Sequence, residues 1–377
     1  MTRVHIVVIA ALVSGIATFS VAQVGPAVGL PQFGSFQDGG VDVLNLGNLN
    51  AHVSVPVFSR AGRMMPMNVK LLFDSASTMV PTAFSSSYQF LPSTVWGVGW
   101  GDPALSVAGE ALYRIQQFNC YYGTTKYQYD EYLYNAYIDP SGATHRFANL
   151  KTTIANSTPC TPVLAKQSGS ANDGSGYVMN VTNGGAWVNS PGGDYIQPEI
   201  AEIGHLPTGS PSFTDANGNR ISLNNSGSST FVDTLGTSAV TVSGSYSATP
   251  VKYTYTGPAG ETETVTVNLT GLSTRTNFQC SNVFDVIRSG NFVTSIVLPD
   301  GSQYSFSYEP TPGYSGYYTG RISSITFPTG GTVSYQYSGG TNGVNCADGS
   351  PAILTRTTPD GTWTYNHSVT GSPGAVT

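Results

Sequence analysis

Residues able to do acid–base or nucleophilic chemistry are few in this chain of 377 residues, and none stands in a catalytic spacing. Beyond residue 22 there are four histidines, His52, His145, His205 and His367, each in a strand or turn setting with no motif around it. A catalytic acid or base must be positioned by a partner, and a serine nucleophile needs a base and an orienting turn. The sequence has no Gly-x-Ser-x-Gly elbow and no His-Glu-x-x-His helix. The carboxylate pairs Asp130/Glu131 and Glu261/Glu263 read as solvent-facing positions. Asp215-x-Asn217-x-Asn219 begins like a calcium loop, but Arg220 stands where that loop needs glycine and no glutamate closes it, so it reads as a turn. No catalytic residue, cofactor site or metal site is expected, and the four histidines are expected to tolerate alanine.

The cysteines and aromatics carry the remaining chemistry. Cys120, Cys160, Cys280 and Cys346 are separated by 40, 120 and 66 residues with no Cys-x-x-Cys, which suggests neither zinc nor a redox dithiol. They follow a leader-like start: Arg3 and His5, an apolar run over residues 6–13, and Ser20-Val-Ala22 before Gln23. This pattern predicts a signal peptide over residues 1–22 and a secreted or cell-surface protein. An uncleaved anchor is the competing reading, since residues 4–22 are nearly long enough to span a bilayer; Ser14, Gly15, Thr18 and the cleavage-like tripeptide favour removal. No apolar run of spanning length follows. In an exported chain disulfides persist. Three pairings exist, of which Cys120–Cys160 with Cys280–Cys346 is favoured because sequence-near cysteines in an array of local units are easiest to bring together. Trp187, in a loose Gly/Asn/Ser region, is the ring most open to stacking on a sugar; Trp96 and Trp100 read as core.

Composition restricts the elements that must hold these residues. Charged residues make up 10% of the chain, while Gly (44) and Tyr (22) abound, which describes half-buried strands joined by glycine turns. The net charge of −6, without a basic cluster, disfavours nucleic acid.

One phrase is written twice: Ile296-Val-Leu-Pro299-Asp-Gly301 running on to Tyr308, and Ile325-Thr-Phe-Pro328-Thr-Gly330 running on to Tyr337, 29 residues apart. Each reads as strand, Pro/Gly turn and alternating strand, a β-hairpin. A shortened third copy, with Pro359 and Gly361, follows 31 residues later. A period of this length means an array, because one hairpin buries its apolar face only when neighbours stack on it. The expected fold is all-β, with serial hairpins in a continuous sheet free to spiral. The expected segments are the leader, an N-terminal β segment over 23–95, a β region over 96–210, a strand-and-turn region over 211–290 and hairpin repeats over 291–377. Val53, Val55 and Val57 alternate on a strand that Pro56 bends or places at an edge. Residues 67–74 form another strand. Residues 126–138 fit a helix face or two strand runs; five tyrosines and the following Asp139-Pro-Ser-Gly142 turn decide for strands. Residues 156–193, rich in Asn, Ser and Gly, read as a surface loop insertion.

Several of these segments resemble the bacterial RHS/YD-repeat proteins, large exported proteins made of serial β-hairpins. Leu44-Asn-Leu-Gly-Asn-Leu-Asn-Ala-His-Val-Ser-Val-Pro-Val-Phe-Ser-Arg-Ala-Gly-Arg63, closing at Phe73-Asp-Ser75, resembles the segment that precedes the repeats in secreted members. Trp96-Gly-Val-Gly-Trp100 resembles the Gly-Trp stretch that opens the repeat region. Gly320-Arg-Ile-Ser-Ser-Ile-Thr-Phe-Pro-Thr-Gly330, on to Tyr337, is similar to the repeat itself. The family's Tyr-Asp-x-x-Gly-Arg is not intact, since Gly316 lies four before Gly320 and no Asp follows it. Asp139-Pro140-Ser-Gly142 echoes the family's cleavage motif but lacks its leucine and lies early, so it reads as a turn. With Thr377 soon after the third hairpin, the likeness is to the front of such a protein. The resemblance implies a non-enzymatic scaffold acting by enclosure or adhesion, with a surface glycan or protein, or a C-terminal cargo domain outside this chain, as partner. A carbohydrate-binding β-module using exposed aromatics is the alternative, and a secreted hydrolase is ranked below both.

Overall fold

A computed structural model describes residues 36–368 except 39–40, 62–64, 85–86, 93–96, 102–104, 155–156, 184, 203–208, 225–228 and 246–248. The leader, Trp96 and His205 lie outside the described residues. The fold is all-β, as expected, and the single α-helical turn among the described residues is Leu105–Ala108. No helix there is long and apolar enough to cross a membrane.

Strands Phe36–Asp38, Asp42–Asn45, Asn50–Arg60 and Met67–Asp74 form an N-terminal antiparallel sheet. Val53, Val55 and Val57 face its core, and the register slips between Pro56 and Phe58, where proline cannot donate to the ladder. A second sheet holds Glu110–Tyr122, Thr125–Ile138 and Thr144–Thr153, with Glu199–Glu202 added in parallel. The five-tyrosine stretch is therefore strand. A small third sheet joins Met79–Phe84, Ser87–Pro92 and Val283–Asp285.

The fourth sheet dominates. Its 16 strands run from Gln167–Ser170 to Gly361–Asn366, each bonded antiparallel to the next in sequence, apart from Glu199–Glu202 and Val283–Asp285, which leave for other sheets. It crosses the boundaries expected near 210 and 290. It also corrects the reading of residues 156–193 as a loop insertion: Gln167–Ser170, Val178–Thr182 and Gly185–Asn189 open this sheet, with Met179, Val181 and Val188 fully buried. A parallel contact between Thr274 and Tyr318 brings non-adjacent strands together, so the sheet curls back there.

One turn recurs seven times among the described residues. In 139–143, 190–194, 215–219, 233–237, 257–261, 298–302 and 327–331 the fourth residue's N–H donates to the first carbonyl, and the first N–H to the fifth carbonyl. The fourth residue is always glycine, with φ between 77° and 90°. This is the three-residue hairpin loop, a type I turn closed by a left-handed bulge residue. Pro299 and Pro328 preset φ at its second position. The shortened third repeat departs: Thr358 pairs directly with Gly361, leaving Pro359-Asp360 as a two-residue loop, so Gly361 is not the equivalent of Gly301 and Gly330.

One apolar core lies between the N-terminal sheet and the long sheet, joining Val53, Leu71, Phe73 and Trp100 to Val251, Val267, Ile296, Ile325 and Leu354. A second sits between the tyrosine-rich sheet and the first strands of the long one.

Candidate functional site

The two hairpin phrases are equivalent in space. Ile296 pairs with Tyr304 and Ile325 with Val333, and Phe306 pairs with Ile325, so the units lie side by side in one sheet. Each closing tyrosine donates to a carbonyl 15 residues back, Tyr308 to Val293 at 2.7 Å and Tyr337 to Ile322 at 3.2 Å. Trp100 donates to the Tyr308 hydroxyl at 3.0 Å, confirming it as core. Where the first unit stacks Phe292 edge-on against Tyr308 (4.6 Å), the second lays Arg321 over Tyr337 (4.1 Å). Arg321 grips Glu309 with two nitrogens, at 2.8 and 3.0 Å, and donates to the Gly343 carbonyl. Arg321 thus ties its strand to the neighbouring strand at Glu309 and to the turn at Gly343.

The described histidines each face a carboxylate in a buried setting, which argues against the expectation that alanine would be tolerated there. His52 faces Asp74 at 3.2 Å, and His367 faces Asp348 at 3.0 Å. His145, with no exposed surface, lies between Asp173 (Nδ1, 2.7 Å) and Asp139 (Nε2, 3.2 Å), against the rings of Tyr177 and Tyr137. Burial disfavours its charge, but the two carboxylates outweigh burial and raise its pKa above 6.5. Asp74, His52 and Ser75 would be the components of a hydrolytic triad. The Ser75 hydroxyl, however, donates to the Asn50 side chain at 3.0 Å and accepts from the Ala51 N–H, and all three residues are buried. That serine is held as a structural donor, not activated by the imidazole.

Other groups are spent on structure. Asp215 accepts the N–H groups of Asn217 and Asn219 and the Asn219 amide, the bonds of a turn. Glu131, expected at the surface, is buried beside Lys151 (3.2 Å). Asp42, fully buried, accepts two bonds from Arg356 (2.6 and 2.7 Å) and one from the Tyr335 hydroxyl (2.6 Å). Among the described residues no three His, Cys, Asp or Glu side chains are arranged so as to hold a metal ion.

Both predicted disulfides are present, Cys120–Cys160 and Cys280–Cys346. Trp187 is half-buried on the face opposite Ala186 and Val188, so it points out of the sheet, with the Lys166 ammonium 4.6 Å from its centroid. Asn180 pairs with it across the ladder, and Asn189 and the exposed Tyr195 share that face. No protein-family model matches the chain, and no curated protein matches it.

Asp42–Arg356 is out of reach of sequence reading because its partners lie 314 residues apart. Arg321 and Glu309 are on paired strands, and His145 lies close in sequence to Asp139 and Asp173, but no local pattern marks either contact. The turn aspartates were visible, but their use by a histidine was not.

Proposed function

We propose that this chain is an exported, non-enzymatic β-hairpin scaffold of RHS/YD-repeat type, acting at the cell surface or outside the cell by enclosing a cargo or by adhesion. The observation that carries the reading is the serial sheet of 16 strands among the described residues, with its recurrent glycine turn and its two repeats in the same register. Such arrays supply extended surface, and each unit is stabilised by its neighbours. Two disulfides fit an oxidising compartment. The histidines support the non-enzymatic part, since those described are engaged by carboxylates in buried settings. The partners that fit are a surface glycan or protein, or a cargo domain beyond this chain. N-terminal sequencing of protein from the medium or the cell surface should begin at Gln23 or within a few residues, with no reactive thiol on unfolding without reductant. Protein retained inside the cell with four free thiols would overturn the proposal.

A carbohydrate-binding reading has one specific observation in its favour: Trp187 faces outward among Asn180, Asn189 and Tyr195. Polysaccharide binding abolished by Trp187→Ala would support it.

A further inference from the structure

The hairpin of Glu110–Tyr122 and Thr125–Ile138 projects beyond the body. Its partner Glu199–Glu202 reaches only to Tyr113, and Thr144–Thr153 stops opposite Glu131, so the outer rows form a two-stranded ribbon. Of the nine exposed large hydrophobic residues among those described, three lie on this ribbon, Tyr122 on one face and Ile115 and Tyr121 on the other, and Ile154 and Val163 lie on the segments beside it. Isolated apolar side chains on a surface need no explanation, but a concentration of them marks a contact region.

The ladder sorts the ribbon into two faces, because successive side chains alternate. One face carries Phe118 opposite Tyr129, Cys120 opposite Tyr127 and Tyr122 opposite Thr125. Phe118 and Tyr129 stack at 5.7 Å with their planes 21° apart. The Cys120–Cys160 bridge ties residues 157–161 to this face, with the Thr158 hydroxyl 3.7 Å from the Cys120 sulfur and bonded to that of Thr161, which in turn bonds Ser157. The charges on this face lie at its root, Arg114 and the Glu131–Lys151 pair; the three outer rows carry none.

We propose that this disulfide-braced aromatic face binds a neutral polysaccharide, the tyrosine and phenylalanine rings stacking on sugar C–H faces and the flanking hydroxyls bonding sugar hydroxyls. The proposal rests on the adhesive branch of the reading above and gives it a site and a ligand class. Chemistry selects the occupant. Nucleic acid or an anionic membrane surface would need a basic rim, whereas the outer rows carry one basic residue, Lys126, on the opposite face. Rings with polar edges beside hydroxyls match a ligand that is apolar on one face and hydroxyl-bearing at its rim. The rows, about 7 Å apart, suit an elongated chain of sugars better than one ring. The brace holds the tyrosines in place before binding, which lowers the entropy cost.

The test is sedimentation of the disulfide-intact protein with insoluble cellulose, chitin and β-1,3-glucan, and with calcium alginate as the anionic comparison. At least one neutral polymer should retain the protein, and Phe118→Ser with Tyr122→Ser should weaken retention roughly tenfold or more. Tyr121→Ser, on the opposite face, and Trp187→Ala should leave it unchanged. Both aromatic replacements lie outside the two cores, so an unchanged melting temperature should accompany the loss. Retention by alginate alone, no retention, retention unaffected by the double variant, or loss only with Trp187→Ala would each overturn the proposal. So would sugar-independent dimers that Phe118→Ser and Tyr122→Ser abolish. The scaffold reading survives any of these results, since it is tested by the start and thiol state of the exported chain.

Discussion

With both ring nitrogens facing carboxylates and no surface exposed, His145 has to be protonated for the clamp to hold. Its pKa in the fold is raised above 6.5, so its stabilisation is complete below the unfolded value and lost as pH rises through the folded one. His145→Gln should cost about 2 kcal/mol at pH 6, less than the usual loss for a broken buried pair because Asp173 keeps access to solvent. In urea titrations the gap between the two proteins should narrow by pH 9; a constant gap would mean a neutral ring. Glu110 is the opposite case. It faces Glu199 across the parallel ladder and is pushed up to about 8, first by burial and then by that carboxylate. A carboxyl protonated in the fold and ionised in the unfolded chain loses stability as pH rises from 4.5 toward 8. Glu110→Gln should therefore stabilise by about 1–2 kcal/mol at pH 8, discounted because the residue is half-buried, and change little at pH 4. A variant no more stable than the parent at pH 8 would refute the raised pKa.

Among the elements, the turn glycines separate two costs. Gly301 and Gly330 sit at φ of 83° and 87° with open space where a Cβ would be, so only backbone strain opposes substitution. Gly→Val at either should cost a similar amount, roughly 1–3 kcal/mol. Gly320, at φ 90°, would place a Cβ 2.5 Å from the Val98 side chain and 3.0 Å from Thr78, so even Gly320→Ala should cost more than Gly301→Ala. Thermal unfolding of the three variants gives the order, and equal losses at Gly301 and Gly320 would contradict it. These turns were legible because they are local: proline presets φ, glycine takes the left-handed position, and alternation follows on both sides. Residues 156–193 misled because Asn, Ser and Gly outweighed a quieter signal. Met179 and Val181, then Ala186 and Val188, alternate as strand residues do and occupy the second core.

For the whole molecule, the informative contact is the one that joins its described ends. Asp42, on the second strand, and Arg356, in the last hairpin, are 314 residues apart and share two hydrogen bonds with little or no exposure to solvent. Nothing near either residue announces the other; each reads alone as a surface charge, and only the packing of the N-terminal sheet on the long sheet makes them partners. Two ions removed from water together are tolerable, whereas one left behind is costly, and Tyr335 can hydrogen-bond Asp42 but cannot neutralise it. Arg356→Met should therefore destabilise by about 3–5 kcal/mol, and Asp42→Leu by a similar amount. The double variant should lose clearly less than the sum, because an apolar pair leaves no orphaned charge. Guanidinium unfolding of the four proteins completes the cycle. Single variants within about 0.5 kcal/mol of the parent would mean that the N-terminal sheet does not depend on this clamp. A large, non-additive loss would instead make closure of the N-terminal sheet on the final hairpin a condition of the folded scaffold.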